Sequence, residues 1–257
     1  MPHSDAPLRS FAQRTGTHPA LAVYYSGWGE PFRTDFATTV AKTGGAPLVQ
    51  IEPSAVPMRQ ITDGSQDAYL ISYAKAVRAF GQPVVLSFGH EMNGAWYDWG
   101  YRHVPPAEFV AAWLYTVDVF RAQGADNVTW LWTINVYADA ASQVANPEPW
   151  WPGDNYVDWV GLDGHYTTPG EDFANVFSPM IAVVRAFTAK PVLVSETAIG
   201  PAAGQAADMN NLFAGVRDSG LIGLFWFDAK GNEDWRLQAP SALDAFAAAA
   251  KRYGLGR

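Results

Sequence analysis

The sequence predicts an α/β fold in which one parallel β-sheet is wrapped in helices. Short apolar runs alternate with longer amphipathic segments along the chain, which is typical of strands that each lead into a helix. The stretch from Pro83 to Gly100 passes from an apolar strand into a polar, aromatic segment, and such folds place their chemistry at the carboxyl ends of strands. With 257 residues, 49% of them hydrophobic, the chain suits a single domain covering residues 1–257.

The individual elements follow from these patterns in order. Apolar runs predict strands over residues 20–26, 46–52, 127–135, 156–163, 191–196 and 221–228, and a further strand that begins at residue 83. Amphipathic spacing and glycine or proline stops predict helices over residues 4–14, 32–43, 67–80, 106–123, 172–188, 203–218 and 241–253. Pro53 and Pro57 indicate a loop, and residues 137–154 form a loop long enough to favour a functional role.

Composition excludes several classes of function. The net charge is −8 and no basic stripe is present, which argues against nucleic acid and anionic membranes as partners. The absence of cysteine excludes disulfides and thiol chemistry, and no apolar run is long enough to span a bilayer. The first residues lack an apolar signal core, so we expect either a secreted protein whose signal has been removed or, as the alternative, a cytoplasmic one. We expect the protein to be a monomer.

The stretch from Pro83 to Gly100 is the strongest candidate site. Its apolar start, Val84-Val85-Leu86, leads into a segment that carries an imidazole, a carboxylic acid, an amide and three aromatic rings. These groups are His90, Glu91, Asn93, Trp96, Tyr97 and Trp99. A metal site is not predicted, because the five histidines are scattered and no H-x-x-x-H pattern occurs. The motifs of serine hydrolases and of nucleotide-binding loops are also absent.

Three segments resemble glycoside hydrolase family 26, a family of retaining β-glycanases built on TIM barrels. They are HEMNGAWYDW within the central stretch, WWPGDNYVDWVGLDGHY from Trp150 to Tyr166, and KPVLVSETAIG from Lys190 to Gly200. They occur in the order of that family, and the resemblance runs from about Thr15 to about Trp235. It implies a TIM-type (β/α)8 barrel that needs no cofactor.

The resemblance implies that Glu91 is the acid/base and Glu196 the nucleophile. Each closes an apolar strand, and retaining hydrolysis needs two such carboxyl groups about 5–5.5 Å apart. A lone glutamate at a strand end is more often a cap or an ion-pair partner, but the matching motifs favour catalysis. The ionised nucleophile needs hydrogen-bond donors, for which His90, Asn135 and Tyr166 are candidates. His165 occupies the position where the family usually has tyrosine.

Substrate contacts are expected from the remaining polar and aromatic residues at the strand ends. Trp96 and Trp99 are predicted to stack on sugars, whereas Asn93 has a turn residue as its alternative role. Other tryptophans near strand ends are candidates for a sugar platform, with core packing as the competing explanation: Trp28, Trp132 and Trp226. The predicted substrate-binding set is completed by His90, Asn135, His165 and Tyr166, and Asp163 is expected to be structural.

The strand count falls one short of a (β/α)8 barrel. Glu91 ends the third predicted strand and Glu196 the sixth, whereas the family places these groups on the fourth and seventh. Both offsets equal one, so the first strand is predicted to be missing or irregular, and residues 4–14 would form the helix that follows it. We therefore expect irregular or incomplete closure next to the strands near Ala20 and Leu221, because Pro2 and Pro7 disfavour a regular strand. The alternatives are a short irregular strand within residues 1–19, direct closure of seven strands, and a gap filled by another chain.

The resemblance implies hydrolysis of β-1,4 linkages in a polysaccharide or oligosaccharide, either mixed-linkage β-glucan or β-mannan. Family mannanases often place an additional histidine upstream of the acid/base strand. No histidine lies between His18 and His90, which favours glucan slightly. The alternative is a non-catalytic sugar-binding barrel that has kept the aromatic cleft; the presence of both glutamates argues against it.

Overall fold

The computed structural model describes residues 6–137, 145–200, 204–231 and 234–254. Seven strands occur in these ranges: β1 (Leu21–Gly27), β2 (Ala46–Glu52), β3 (Val84–Phe88), β4 (Val128–Asn135), β5 (Trp159–Asp163), β6 (Val192–Thr197) and β7 (Leu224–Trp226). The helices are α1 (Ala6–Thr15), α2 (Thr34–Lys42), α3 (Met58–Thr62), α4 (Asp67–Phe80), α5 (Pro106–Ala122), α6 (Phe173–Val176), α7 (Ser178–Arg185), α8 (Gln205–Asp218) and α9 (Pro240–Tyr253). The predicted alternation of strands and helices is confirmed for these residues.

The chain divides into two compact units. Of the described residues, the first comprises 21–137 and 145–160 and the second 6–20, 161–200, 204–231 and 234–254, so the boundary falls inside β5. In the first unit, β1, β2, β3 and β4 pair in parallel and in chain order. In the second unit, β6 pairs in parallel with β7. Parallel pairing carries the carboxyl ends of neighbouring strands to the same edge of each sheet.

In the first unit, hydrophobic burial separates two faces of β1. Tyr24 lies against Phe36 of α2, and its hydroxyl is within hydrogen-bond distance of that of Tyr73 on α4. Tyr25 points the other way, and its ring lies 5.5 Å from that of His90. This alternation is the two-residue period of a strand. Every residue of β3 is buried, so the central strand is a rigid base for the segment that follows it.

In the second unit, α1 packs on α9. The ring of Phe11 meets that of Phe246 edge to face at 5.4 Å. Arg14 donates to the carbonyl of Leu237 and, at 2.5 Å, to the carboxylate of Asp228. The helix predicted over residues 4–14 is confirmed from Ala6 onwards. Residues 1–5 lie outside the described residues, so the missing or irregular first strand and the incomplete closure stay predictions.

Three predicted elements differ in the structure. The helix predicted over 172–188 is two helices, α6 and α7, because Pro179 follows the break at Phe177 and removes a backbone donor. The strand predicted from Leu221 to Asp228 is reduced to three residues, with a register irregularity against β6. The loop predicted at Pro53 and Pro57 contains α3. Within the described residues, no helix is long and apolar enough to cross a membrane.

Candidate active site

Glu91 belongs to the first unit and follows β3 in an unusual backbone conformation. Its φ is +54°, in the left-handed region, which costs a residue other than glycine about 1 kcal/mol or more. The turn is held from the neighbouring strand, because the Glu91 amide donates to the carbonyl of Thr133 at 2.9 Å. Strained residues of this kind persist where the surroundings fix them, and they concentrate at functional sites.

Both oxygens of the Glu91 carboxyl accept a hydrogen bond. The Asn135 amide donates to Oε1 at 2.7 Å, and the Trp96 indole donates to Oε2 at 2.7 Å. Trp96 is also 44% exposed, so its ring lies beside the acid with a large area open to solvent. A side chain on Gly94 would lie 2.3 Å from the Trp96 ring, so the indole reaches Glu91 only because residue 94 is glycine.

The side chain of Asn93 is hydrogen bonded to the backbone of Asn135. The Asn93 side chain accepts from the Asn135 amide at 2.9 Å and donates to the Asn135 carbonyl at 2.8 Å. The Asn135 side-chain oxygen accepts from the amide of Tyr137. Asn93 is fully buried, and its two bonds to Asn135 fix the end of β4. It is therefore more than a simple turn residue.

His90 lies in a cage of aromatic rings behind Glu91. Its Nε2 is hydrogen bonded to the Tyr97 hydroxyl at 3.1 Å, and Tyr97 stacks on Trp99 at 4.3 Å with an interplanar angle of 9°. The Trp99 indole donates to the His90 carbonyl at 2.9 Å. The sequence predicted Trp99 as a sugar-stacking residue. Its side chain is 2% exposed, which argues against direct stacking and gives it a supporting role.

Glu196 belongs to the second unit and lies near the end of β6. Its Oε1 is 3.3 Å from Nε2 of His165, and both side chains are about one-fifth exposed. The hydroxyl of Tyr166 donates instead to Asn211 on α8 at 2.9 Å, and burial raises the pKa of Tyr166. The sequence proposed His90, Asn135 and Tyr166 as donors to this glutamate. In the structure the Nε2 of His90 is bonded to Tyr97, Asn135 donates to Glu91 and Tyr166 donates to Asn211, whereas His165 lies at Glu196.

Trp235 is a site residue that sequence reasoning missed. Its ring stacks on that of His165 with centroids 4.9 Å apart and an interplanar angle of 21°. A side chain on Gly200 would lie 2.7 Å from the Trp235 ring, so this close approach depends on glycine. Trp235 follows β7, about 70 residues beyond His165 in the chain, and its sequence context gave no signal that would have linked the two.

The remaining predicted residues separate by burial. Trp28 is half-buried, and its indole donates to Gln66 at 2.9 Å. Trp132 is fully buried and meets Trp151 edge to face at 5.0 Å, whereas Trp226 packs against Phe246 of α9. This burial favours the packing alternative for Trp132 and Trp226. Asp163 is also buried and accepts from the Ser195 hydroxyl at 2.5 Å, as expected for a structural residue.

A further carboxyl group, Glu52, lies at the carboxyl end of β2 and was not predicted. Burial, and secondly the negative charge of Glu30, raises the pKa of Glu52. The Glu30 carboxylate accepts from the amide of Gly27, which is the register partner of Glu52 on β1. No group of three or more histidine, aspartate or glutamate side chains in the described ranges could hold a metal ion.

Comparison with known proteins places these side chains in context. The sequence profile of Glycosyl hydrolase family 26 matches residues 66–248, which is more than half of the chain. Endoglucanase H of Acetivibrio thermocellus is 29% identical over 260 residues, covering 95% of this chain and 29% of the relative. Mannan endo-1,4-beta-mannosidase A and B of Caldalkalibacillus mannanilyticus is 29% identical over 105 residues, covering 38% of this chain and 19% of the relative. The chain thus spans less than a third of the length of these relatives.

Solved structures show the same fold. The catalytic domain of an endo-β-1,4-mannanase from Bacillus sp. JAMB-750 aligns with a TM-score of 0.74 at 18% identity. The alignment covers 93% of this chain and 78% of that domain. At this identity the likeness concerns the fold alone, and it confirms the predicted (β/α)8 class.

Proposed function

Because the chain belongs to glycosyl hydrolase family 26, and is thus a glycoside hydrolase, we propose that it cleaves β-1,4 linkages inside a polysaccharide with retention of anomeric configuration. The observation that carries this proposal is the setting of Glu91. The strained turn and the two N–H donors fix this carboxyl group beside an exposed indole, and a proton-transfer residue must be held within hydrogen-bond reach of the atom that it serves.

The proposed reaction has two steps. The Glu196 carboxylate attacks the anomeric carbon and forms an ester bond as the glycosidic bond breaks, and the leaving oxygen takes the proton of Glu91. Glu91, now ionised, then removes a proton from water, and the resulting hydroxide displaces Glu196 from the anomeric carbon. The sugar hemiacetal leaves, Glu91 is protonated again, and Glu196 is again a carboxylate. Every proton in this cycle is held by one of the two glutamates, water or substrate.

Sugar recognition is proposed to rest on the exposed aromatic rings. Trp96 presents an open indole beside Glu91, and an indole face can stack on the apolar face of a sugar. Trp28, which follows β1, is the second candidate because it is half-buried rather than buried. The buried members of the predicted set are proposed to act by holding these groups in position, namely His90, Asn93 and Trp99.

A β-glucan is the first choice of substrate and β-mannan the second. The relative aligned with 95% of the chain is named an endoglucanase, whereas the mannosidase aligns with 38%. The lack of histidine between His18 and His90 points the same way. We also propose that residues 1–257 act as one catalytic domain, that the protein is monomeric, and that it works outside the cell, where polysaccharides are found.

The test is substitution of each glutamate, measured on polysaccharides and on activated aryl glycosides. Glu196→Ala should abolish turnover of both kinds of substrate, retaining less than about a hundredth of the wild-type rate. Glu91→Ala should abolish turnover of barley β-glucan and carob mannan but keep activity on 2,4-dinitrophenyl glycosides, whose leaving group needs no proton. Glu108→Gln, at an exposed position on α5, is the matched control.

Product analysis tests the remaining parts of the proposal. Proton NMR during the first minutes of hydrolysis should show the β-anomer of the new reducing end, and the viscosity of the polysaccharide should fall well before reducing sugar accumulates. Initial release of the α-anomer would exclude the double-displacement mechanism. An unchanged rate for Glu196→Ala would exclude Glu196 as the nucleophile.

A further inference from the structure

We propose that His165 is a hydrogen-bond partner of the nucleophile in this chain, in place of the tyrosine expected from the family resemblance, and that Trp235 is a positioning residue that holds its imidazole on Glu196. This proposal rests on the proposed function, since it assigns a task at the proposed nucleophile. It is carried by the contact between Nε2 of His165 and Oε1 of Glu196, and by the stack of His165 on Trp235.

The backbone determines which side chain reaches Glu196. The amide of Gly164 donates to the Glu196 carbonyl at 3.0 Å, and the amide of Tyr166 donates to the Ala198 carbonyl at 2.9 Å. Residue 165 lies between these two bonds and therefore emerges beside Glu196. Neighbouring residues in extended backbone point to opposite sides, so Tyr166 is turned towards α8, where its hydroxyl is already donated to Asn211.

The contact assigns the proton on the imidazole. An ionised carboxylate only accepts hydrogen bonds, so Nε2 of His165 must carry the proton that lies between it and Oε1. A bond to an ionised acceptor is stronger than one between neutral groups, and it restricts rotation of the carboxylate. During attack, Glu196 forms its bond to the anomeric carbon and the Nε2 proton stays on His165. The imidazole therefore orients the nucleophile and transfers no proton.

Trp235 and Phe227 restrict the plane of the imidazole. Trp235 covers one face, and Phe227 meets the ring edge to face at 6.0 Å. Trp235 is itself tied down, because its amide donates to the carbonyl of Ala229. It can approach His165 only while residue 200 lacks a side chain, since a Cβ there would lie 2.7 Å from the indole. Trp235 and Gly200 thus act on the nucleophile through His165.

The attack step is measured directly by covalent labelling. The probe is 2,4-dinitrophenyl 2-deoxy-2-fluoro-β-cellobioside, or the corresponding mannobioside if only that one labels wild type. The rate of labelling of Glu196 at saturating probe is followed by mass spectrometry. His165→Leu should label on the order of 100-fold more slowly, the size of effect found when a preorganised donor is removed. His165→Gln, which can still donate, should recover part of that loss.

Variants at the stack separate positioning from substrate contact. Trp235→Leu and Gly200→Ala should each slow labelling at saturation by about 10-fold, whereas Trp235→Phe, which keeps an aromatic face, should stay near wild type. If Trp235→Leu raises only the probe concentration needed for half-saturation, the ring contacts substrate alone and the positioning role is wrong. Thermal melting of each variant shows whether it folds, and His165→Gln and Trp235→Phe are the variants expected to melt as wild type does.

Failure of this inference is distinguishable from failure of the proposed function. If Glu196→Ala is inert while His165→Leu labels within about threefold of wild type, Glu196 is the nucleophile and the role of His165 is refuted. If Glu196→Ala is labelled at the wild-type rate, the proposed function itself is wrong. A loss in His165→Leu that His165→Gln does not recover at all would refute the hydrogen bond as its cause.

Discussion

Asn93 reaches the proposed acid/base only through another residue. It binds both backbone groups of Asn135, and the Asn135 side chain then donates to Glu91. We expect Asn93→Ala to lower kcat on polysaccharide by at least about 10-fold, because a small displacement of Asn135 misplaces the carboxyl. Turnover of 2,4-dinitrophenyl glycosides should change much less, since the dinitrophenolate leaving group departs without help from an acid. The ratio of the two rates is the measurement.

The chain offers a matched control for this variant. Asn127, just before the start of β4, donates to the carbonyls of Val77 and Gln82 and is remote in sequence from Glu91. Asn127→Ala also removes two side-chain bonds to backbone, and each such loss lowers the free energy of unfolding by about 1 kcal/mol. It should leave the ratio of rates unchanged. An equal fall in that ratio for both variants would mean that Asn93 contributes only to stability.

Glu52 makes stability depend on pH. Because its pKa is raised in the folded state, its favourable contribution is complete below the unfolded-state pKa of about 4.3 and is lost as the pH rises through the folded-state value. Glu52→Gln removes the ionisable group. The variant should therefore melt higher than wild type at pH 8 and show no such gain at pH 4. A gain that is largest at pH 4 would contradict the direction of the shift.

Residues at strand ends were predictable from sequence, whereas their partners were not. Glu91 and Glu196 each follow an apolar run, so the strand pattern and the surrounding motif are enough to locate them in the sequence. The choice between His165 and Tyr166 depends on which of two adjacent side chains faces Glu196, and backbone bonds to Glu196 and Ala198 determine this. Trp235 is brought to His165 by tertiary structure alone. Trp99 is of a residue type that often stacks on sugars. Only the structure shows that its side chain is buried and supports its neighbours instead.

At the scale of elements, α1 is proposed to stabilise the second unit through its contact with α9. Phe11→Ala removes the edge-to-face contact with Phe246 and should lower the free energy of unfolding by about 2 kcal/mol. Chemical denaturation of both proteins checks this. Gln13→Ala, on the exposed side of the same helix, is the control and should have little effect. Equal stability of Phe11→Ala and wild type would show that α1 is peripheral to folding.

The elements that sequence located best are those with strong local signals. β2 runs from Ala46 to Glu52 as predicted, because an apolar run there lies between a glycine pair and a proline. The break between α6 and α7 carries a signal in Pro179, but the amphipathic period continues across it and favours one helix. β7 is short because its pairing with β6 is irregular, which the apolar run over residues 221–228 does not reveal.

At the scale of the whole molecule, the resemblance read from three motifs agrees with the family profile and with the fold of the solved mannanases. The count of seven strands is confirmed for the described residues. Specificity is less accessible to sequence, because the chain aligns with relatives named for different polysaccharides. Cleavage of one β-1,4-linked backbone over another depends on side chains that contact the sugars, and the order of elements along the chain does not determine these.

The contact between α1 and α9 also has a consequence for synthesis on the ribosome. α1 ends at Thr15 and its partner starts at Pro240, so α1 must wait until Pro240 and the residues after it have been synthesised. At about 5–20 residues per second this delay is on the order of 10–50 s. During that time Phe11 has no native partner on α9 and is available to chaperones. Packing of α1 within its own unit therefore follows the synthesis of α9.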